Sequence, residues 1–271
     1  AGLQPTVDPA NRYDAVFNED RVEITQLGLD LETTLEVIVS AEDDAEVRRI
    51  ALTNLGAKPR EIEVTSYVEL ALAPAAADIS HPAFSKLFIQ TEHLPTTGAL
   101  LAHRRRRSPS EPEIWAAHLA VLEGQGVGAR EFETDRARFI GRGGDVQAPM
   151  AIAGGRTLSG SVGTVIDPIF ALKRRVRVEP GRTARIAFWT MVGDSRDQLL
   201  GLIDKHHDVG AFPRAAALAW TQNQVQLHHL GIDRAEAGQL QRLASFMIYP
   251  TATLRAPSDA IEAGAGAQSS L

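Results

Sequence analysis

Leu31-Glu-Thr-Thr-Leu-Glu-Val-Ile-Val-Ser40 alternates by twos. Leu31, Thr33, Leu35, Val37 and Val39 fall on one face, and Glu32, Thr34, Glu36, Ile38 and Ser40 fall on the other. Successive side chains of an extended chain point to opposite sides, so the stretch predicts a half-buried β-strand. The same pattern extends in both directions. Residues 12–26 alternate weakly through Tyr13, Val16, Val22 and Ile24 and predict one or two strands. Asp43 and Asp44 mark a turn, and residues 47–55 predict another strand. Gly56-Ala57-Lys58-Pro59 has turn chemistry. Residues 61–72 follow with Ile62, Val64, Val68, Leu70 and Leu72 in register, which predicts a long antiparallel hairpin with 47–55.

Further along, 74–82 reads as a loop and 84–92 as a strand. Residues 100–107 begin as a strand and end in Arg104-Arg105-Arg106-Arg107. Four arginines in a row can make a polyanion patch. The expectation is instead that two of them point each way from a strand and two solvate an edge. Residues 114–122 predict a strand carrying Trp115. Two more are predicted at 158–166 and 169–179. Pro180-Gly181 has proline then glycine at the centre of a turn and leads into 183–192, where Ile186 and Phe188 face one way and Trp189 the other. Residues 12–192 therefore predict about ten strands and no helix, a large antiparallel sandwich.

The period changes at Gly193-Asp194-Ser195. Ser195 is a candidate N-cap, and Leu199, Leu202 and Ile203 recur at helical spacing. A second helix is expected from about Arg214 to Leu230, ended by Gly231, and a third from Arg234, carrying Leu240, Leu243, Phe246 and Met247 and stopping before Pro250. Residues 262–271 are glycine-rich and predicted to be loose. The architecture is mainly β with C-terminal helices.

Composition narrows the function. The chain has 271 residues, 44% hydrophobic and 23% charged, enough for one large domain or two smaller ones. It has no cysteine, so it has no disulfide, thiolate metal site or cysteine nucleophile. A formal net charge of -6 argues against nucleic acid as a partner. No apolar run approaches the ~20 residues needed to span a bilayer, and the N-terminal stretch has neither the basic nor the apolar region of a signal peptide. The first residue is not methionine, and the chain reads as a piece of a longer polypeptide.

Chemistry concentrates in residues 131–144, Glu-Phe-Glu-Thr-Asp-Arg-Ala-Arg-Phe-Ile-Gly-Arg-Gly-Gly. Glu131, Glu133 and Asp135 sit among Arg130, Arg136, Arg138 and Arg142, with Phe132 and Phe139 able to anchor a loop. Planar guanidinium forks suit pairing with these acids or with a polyhydroxylated or anionic ligand. A salt-bridged surface loop is the competing reading. Other chemistries are poorly supported. Adjacent residues on a helix diverge by ~100°, so His206-His207 and His228-His229 each offer at most one metal ligand, and no metal site is expected. Ser159-Gly160-Ser161-Val162-Gly163 resembles a hydrolase elbow but lies in strand context. Gly141-Arg142-Gly143-Gly144 does not open a helix after a strand, and no nucleotide loop or cofactor motif is present. Glu131, Glu133, Asp135 and Asp167 are of the type that performs paired-carboxylate glycoside chemistry, but their spacing does not separate that from salt bridging. Trp115, Trp189 and Trp220 can stack on sugars or fill a core.

Several strings, taken in order, point to a family. They are Arg60-Glu-Ile-Glu-Val-Thr-Ser-Tyr-Val-Glu-Leu70, His81-Pro-Ala-Phe-Ser-Lys-Leu-Phe88, Glu133-Thr-Asp-Arg-Ala-Arg-Phe-Ile-Gly-Arg142, Leu158-Ser-Gly-Ser-Val-Gly-Thr-Val-Ile-Asp-Pro-Ile-Phe170 and Gln241-Arg-Leu-Ala-Ser245. As a set they resemble the C-terminal phosphorylase-like region of cyclic β-1,2-glucan synthases, which is similar to the cellobiose and chitobiose phosphorylases. The resemblance runs from about residue 12 to the end of the chain.

It implies a galactose mutarotase-like β-supersandwich over 1–193, linker helices over 194–231, and the start of an (α/α)6 barrel over 232–271. In the family, a segment resembling Gln268-Ser-Ser-Leu271 leads into a Trp and a Gly-Ile-Ser-Gly-Asp segment, although Ala-Gln-Ser-Ser departs from the usual Gly-Gln-Ser-Gly. The barrel holds a single general-acid aspartate and phosphate is the nucleophile, so no catalytic residue is expected in this chain. The resemblance further implies that Asp135, Arg136 and Arg142 face glycan or barrel, with Trp115 a sugar-stacking candidate. The expected partners are a β-1,2-glucan or related glucooligosaccharide and the rest of the polypeptide, with no cofactor. A purely structural or dimerising module is the alternative. The parent is expected to be a glycosyltransferase of the bacterial inner membrane that makes cyclic β-1,2-glucan, with this soluble domain on the cytoplasmic side.

Overall fold

The computed structural model describes residues 12–28, 30–109, 111–248 and 256–264. Strands β1 (Arg12–Phe17), β2 (Val22–Gly28), β3 (Leu31–Val39) and β4 (Ala45–Asn54) form an antiparallel ribbon. The chain then leaves it for β5 (Arg60–Thr65) and the short β6 (Val68–Glu69). Two small helices, α1 (Ala75–Ser80) and α2 (Pro82–Lys86), lead to β7 (Ile89–Leu94), β8 (Ala99–Arg104) and β9 (Trp115–Glu123). After β10 (Gln125–Asp135) come α3 (Arg136–Ile140), β11 (Gly163–Thr164), β12 (Pro168–Val178) and β13 (Thr183–Gly193). Helices α4 (Arg196–His206), α5 (Ala211–Leu230), α6 (Arg234–Ile248) and α7 (Ser258–Gly264) follow. The chain divides into two compact units, residues 1–221 and 222–271.

In the first unit, nine strands pair in the order β1-β2-β3-β4-β13-β9-β8-β7-β11, and β10-β12-β5 form a second sheet in which β6 also pairs with β12. The expected antiparallel sandwich is present. One core lies between the sheets, where Leu52, Leu100, Phe170, Leu172, Ile186 and Phe188 meet. Another lies on the opposite face of the large sheet, where Ile38, Leu101, Leu119, Trp189 and Met191 meet Leu199 and Ile203 of α4 and Phe212, Ala215 and Ala219 of α5. The alanines of α5 let that helix approach the sheet closely. Ser195 caps α4, its hydroxyl accepting from the Gln198 N–H at 3.2 Å, and Gly231, at φ +66°, follows α5.

The helix-covered face changes the reading of the opening strand. On β3, Ile38 is 1% exposed and Val39 is 66% exposed, so at this end of the strand the buried face is the opposite of the predicted one. Ile38 turns to the helices, while Val39 lies on the other face.

The predicted 47–55/61–72 hairpin is corrected. β4 pairs with β3 and β13 in the large sheet, whereas β5 pairs with β12 in the small one. Residues 55–59 are a corner between sheets, organised by Asn54. Its buried side chain donates to the carbonyls of Lys58 at 2.8 Å and Val178 at 2.9 Å and accepts from the Gly56 N–H at 3.0 Å. Alternation records which face of a strand is buried, not which strand lies beside it.

Other boundaries shift as well. Residues 75–80 and 82–86 are helical, so the predicted loop at 74–82 holds α1 and the predicted strand at 84–92 begins only at Ile89. The predicted strand at 158–166 reduces to Gly163–Thr164. The expectation of no helix before residue 193 also gives way to α1, α2 and α3. Arg104 does not solvate an edge. It is buried and donates to the Ser85 carbonyl at 2.8 Å, while Arg107 pairs with Glu111 at 3.0 Å. Residues 262–264 belong to α7; the rest of the glycine-rich stretch, the 268–271 segment and Pro250 lie outside the described residues. Among the described residues, no helix is long and apolar enough to cross a membrane.

Candidate functional site

The stretch 131–144 is less of a loop than its composition predicts. Its first five residues complete β10, and Asp135 ends the strand by capping α3, its Oδ1 accepting from the Ala137 N–H at 2.9 Å. Phe139 and Ile140 sink into a small core with Ala151, Ile169 and Ala171. Gly141 then turns the chain at φ +85°, and a Cβ there would lie 2.8 Å from the Met150 side chain. With its apolar face buried, α3 holds Arg136 on the surface beside β6.

Arg136 is the centre of a polar cluster. Its Nε donates to the Tyr67 hydroxyl at 3.0 Å and to Glu69 Oε1 at 3.1 Å, and its Nη1 lies 3.7 Å from Asp167 Oδ2. The Tyr67 hydroxyl donates to Glu69 at 2.7 Å, and Lys86 pairs with Asp167 at 2.8 Å. Strand β6, helices α2 and α3 and the residue before β12 thus converge on one shelf. The Tyr67 ring lies 5.2 Å from Phe139, which ties the shelf to the core below. Leu87 and Ile166, beside Lys86 and Asp167 in sequence, are exposed.

The electrostatics oppose acid–base catalysis here. Burial, then the hydrogen bond to Glu69, pushes the Tyr67 phenol up to about 12. The hydrogen bond from Tyr67, against burial and helped by Arg136, holds the Glu69 carboxyl below its ordinary range. The hydrogen bond to Tyr67 raises Arg136 further above neutrality. These shifts carry all three groups away from neutrality, which suits fixed hydrogen-bonding geometry and not proton transfer near pH 7.

Glu133 has a different job. Its carboxylate is buried and accepts from the N–H groups of Thr134 at 3.0 Å, Asp135 at 3.0 Å and Ser159 at 3.2 Å, from the Ser159 hydroxyl at 2.5 Å, and from the Ser161 hydroxyl. Burial pushes its pKa up, but the hydrogen bonds from Ser159, Ser161 and the backbone outweigh this and hold it below the usual carboxylate range. Glu131 accepts from the Leu158 N–H at 2.9 Å and pairs with Lys173 at 3.1 Å. These acids fasten residues 158–161 onto β10.

Of the expected site residues, Asp135 and Arg136 are adjacent and partly exposed, with Asp135 Oδ2 also 3.5 Å from Arg138. Arg142 is exposed beyond Gly141. Trp115 is not brought to this cluster. It is 8% exposed, belongs to the helix-covered core, stacks on His103 with ring centroids 4.5 Å apart, and donates Nε1–H to Glu113 at 2.7 Å. Tyr67 and Glu69 were not recognised from sequence as site residues, although both lie in the Arg60–Leu70 string that carries the resemblance.

His206 and His207 diverge, and His228 and His229 are both exposed. His206 is buried, stacks on Trp189 at 4.1 Å and contacts Asp43 at 2.9 Å, while His207 is exposed. Among the described residues, no group of three or more histidine or acidic side chains converges on a point where a metal would bind.

Residues 1–209 match the family model of the glycosyl hydrolase 94 supersandwich domain. The cyclic beta-(1,2)-glucan synthase NdvB of Rhizobium meliloti (strain 1021) is 38% identical over 271 residues, which is 100% of this chain and 10% of that protein. A solabiose phosphorylase of Paenibacillus borealis is 26% identical over 157 residues, 58% of this chain and 19% of that protein. A solved structure described as a kojibiose phosphorylase from the human microbiome shares 7% identity, covering 77% of this chain and 23% of that one with a TM-score of 0.41. The chain therefore spans a small part of the length of the curated relatives it matches. The likeness to cyclic β-1,2-glucan synthases expected from the quoted strings holds across the whole chain, and on the match to residues 1–209 the protein belongs to the glycosyl hydrolase 94 supersandwich domain family.

Proposed function

We propose that this domain is the carbohydrate-associated sandwich of a cyclic β-1,2-glucan synthase. In this reading it supports and orients glucan beside a phosphorylase-like barrel that sets chain or ring length. The observation that carries the reading is the Arg136 shelf, where a guanidinium is fixed by Tyr67, Glu69 and Asp167 on a partly exposed surface. Such a preorganised set of donors and acceptors suits sugar hydroxyls, and holding it in advance lowers the ordering cost of binding. The pKa directions in the cluster favour recognition over chemistry, so bond cleavage is assigned to a barrel and its single carboxylic acid.

Asp135 serves this site by capping α3, and Arg142 extends it beyond Gly141. Residues 232–271 are the entry to the barrel in this reading, which is supported by the exposure of Leu243, Phe246 and Met247 on α6. The parent then sits at the bacterial inner membrane with this domain on its cytoplasmic side. That placement rests on the likeness to the synthase and is tested by protease protection of the domain in sealed vesicles.

Calorimetric titration of the 271-residue chain with linear β-1,2-glucooligosaccharides tests the central claim. Millimolar or tighter binding that Arg136→Ala abolishes is the expected result. Binding that is absent, or unchanged in that variant, would reassign the domain as a structural module packing against the rest of the polypeptide.

A further inference from the structure

Strand β12 breaks its own pattern at Arg174. Phe170, Leu172, Val176 and Val178 all contribute to the core between the two sheets. Alternate residues of a strand share a face, so position 174 belongs to the same row. An arginine occupies it at 6% exposure. Its Nη1 donates to the Lys173 carbonyl at 3.0 Å, while its Nη2 is buried with no hydrogen-bond partner among the described residues. A charge out of water with an unmet donor is costly, and a guanidinium has no neutral form to retreat to near pH 7. Burial, reinforced by Arg130, pushes Arg174 down to about 10, which leaves it cationic.

Its surroundings add positive charge. Arg130 lies within the stretch between Val127 and Glu131 where β10 slips register against β12, and its Nη1 donates to the Thr97 carbonyl at 3.1 Å. A Cβ on Gly98 would lie 3.3 Å from Arg130 Nη1 and 3.4 Å from Arg174 Nη2. Gly98 itself stands at φ +75°, so a glycine in a left-handed turn is what lets both guanidiniums close on the same stretch of backbone. The nearby carboxylates are committed elsewhere: Glu131 to Lys173 at 3.1 Å, Glu63 to Arg175, and Asp208 to Arg214 at 2.9 Å. Arg130 and Arg174 line a cleft of about 690 Å³, with Thr97, Gly128 and His207 also in its wall.

We propose that this cleft is a binding site for a small tetrahedral oxyanion, phosphate in the first instance, held between Arg130 and Arg174. Guanidinium forks match the oxygen spacing of such anions and bind them by charge-assisted hydrogen bonds. A bound oxyanion would supply the missing counter-charge. The site lies near the middle of the β10–β12 pair, about 20 Å along the strand from the end that carries Arg136. It is independent of the glycan reading.

The test is thermal unfolding of the 271-residue chain titrated with sodium phosphate, sulfate, acetate or chloride at fixed ionic strength. Phosphate is expected to raise the midpoint saturably, with acetate and chloride without saturable effect. Arg130→Gln, at an exposed position, is expected to weaken the phosphate response about tenfold, and Arg105→Gln to leave it unchanged. Arg174→Met removes the buried charge and is expected to be more stable than the parent without phosphate and indifferent to it. A response that never saturates, or that is equal in Arg130→Gln and the parent chain, would overturn the site. Acetate matching phosphate would overturn its assignment to a tetrahedral oxyanion.

Discussion

Arg136 and Tyr67 share a hydrogen bond of 3.0 Å, and the phenol that accepts it donates in turn to Glu69 at 2.7 Å. The tyrosine therefore sits in a relay in which its own ionisation would place an anion against a carboxylate. Its pKa, raised from 10.0 to about 12 mainly by burial, carries a stability consequence. The unfolded phenol gives up its proton near pH 10 while the folded one keeps it. The contribution is complete below pH 10 and is lost as pH rises from 10 to 12. Tyr67→Phe is expected to flatten that part of the alkaline decline in melting temperature. Absorbance titration of tyrosinate should show one of the three tyrosines ionising late.

His118 gives the acid-side counterpart. It is 2% exposed, lies between the rings of Phe170 and Phe188 with centroids 5.9 Å from each, and contacts Thr190 at 3.1 Å and Ser66 at 2.8 Å. Burial is the main reason its pKa falls to about 4. The unfolded histidine takes up a proton as pH drops through 6.5 and the folded one does not, so stability present above pH 6.5 is lost between 6.5 and 4. That loss is about 3 kcal/mol by linkage. In an NMR titration, one imidazole should stay neutral at pH 5, and a neutral substitute such as His118→Gln should remove this part of the pH dependence.

Asn54 predicts a sharp local sensitivity. Asn54→Ala strands the carbonyls of Lys58 and Val178 and the Gly56 N–H. The Val178 carbonyl is buried and the other two groups are part-buried, so urea denaturation should show a loss of about 2 kcal/mol. Asn54→Asp keeps the acceptor but has no donor for the two carbonyls, and should not rescue it.

Glu133 predicts a change in local order. Removing its carboxylate in Glu133→Ala frees the hydroxyls of Ser159 and Ser161, and the segment after the exposed Arg156 loses its anchor. Trypsin should then cut after Arg156 faster than in the parent chain, with a stability loss of about 3 kcal/mol. Glu133→Gln keeps an oxygen for the backbone donors and should cost less. Because the folded carboxyl is held below its ordinary range, the Glu133 contribution is present above pH 4.5 and fades as pH falls below it.

The fold was legible wherever the two faces of an element meet consistently different surroundings. Residues 183–192, with Ile186 and Phe188 opposite Trp189, were read correctly because the two sides enter two different cores. Ser195 and Gly231 marked helix ends because capping is local chemistry. The partner of β5 was not legible, since period two is the same whether a strand turns back on its predecessor or crosses to another sheet. Helices α1 and α2 are too short for a period to emerge.

In the candidate site, Arg136 was found by residue type, but Glu69 lies 67 residues away along the chain, and no spacing rule joins them. Arg174 was legible and overlooked. Its place in the row of Phe170, Leu172 and Val176 was readable, but the run Lys173-Arg174-Arg175 resembles solvent-facing charge.

The position of β13 has a consequence for how the chain matures. It is the last strand of the two sheets among the described residues, yet it lies between β4 and β9 at the middle of the large sheet, bonding Thr183 to Thr53 across 130 residues. Until it emerges from the ribosome, β1–β4 and β7–β9 are two ribbons with unpaired inner edges, the kind of surface that recruits other chains. Nascent polypeptide arrested before residue 183 should therefore be a chaperone client, and release from the chaperone should coincide with insertion of this one strand.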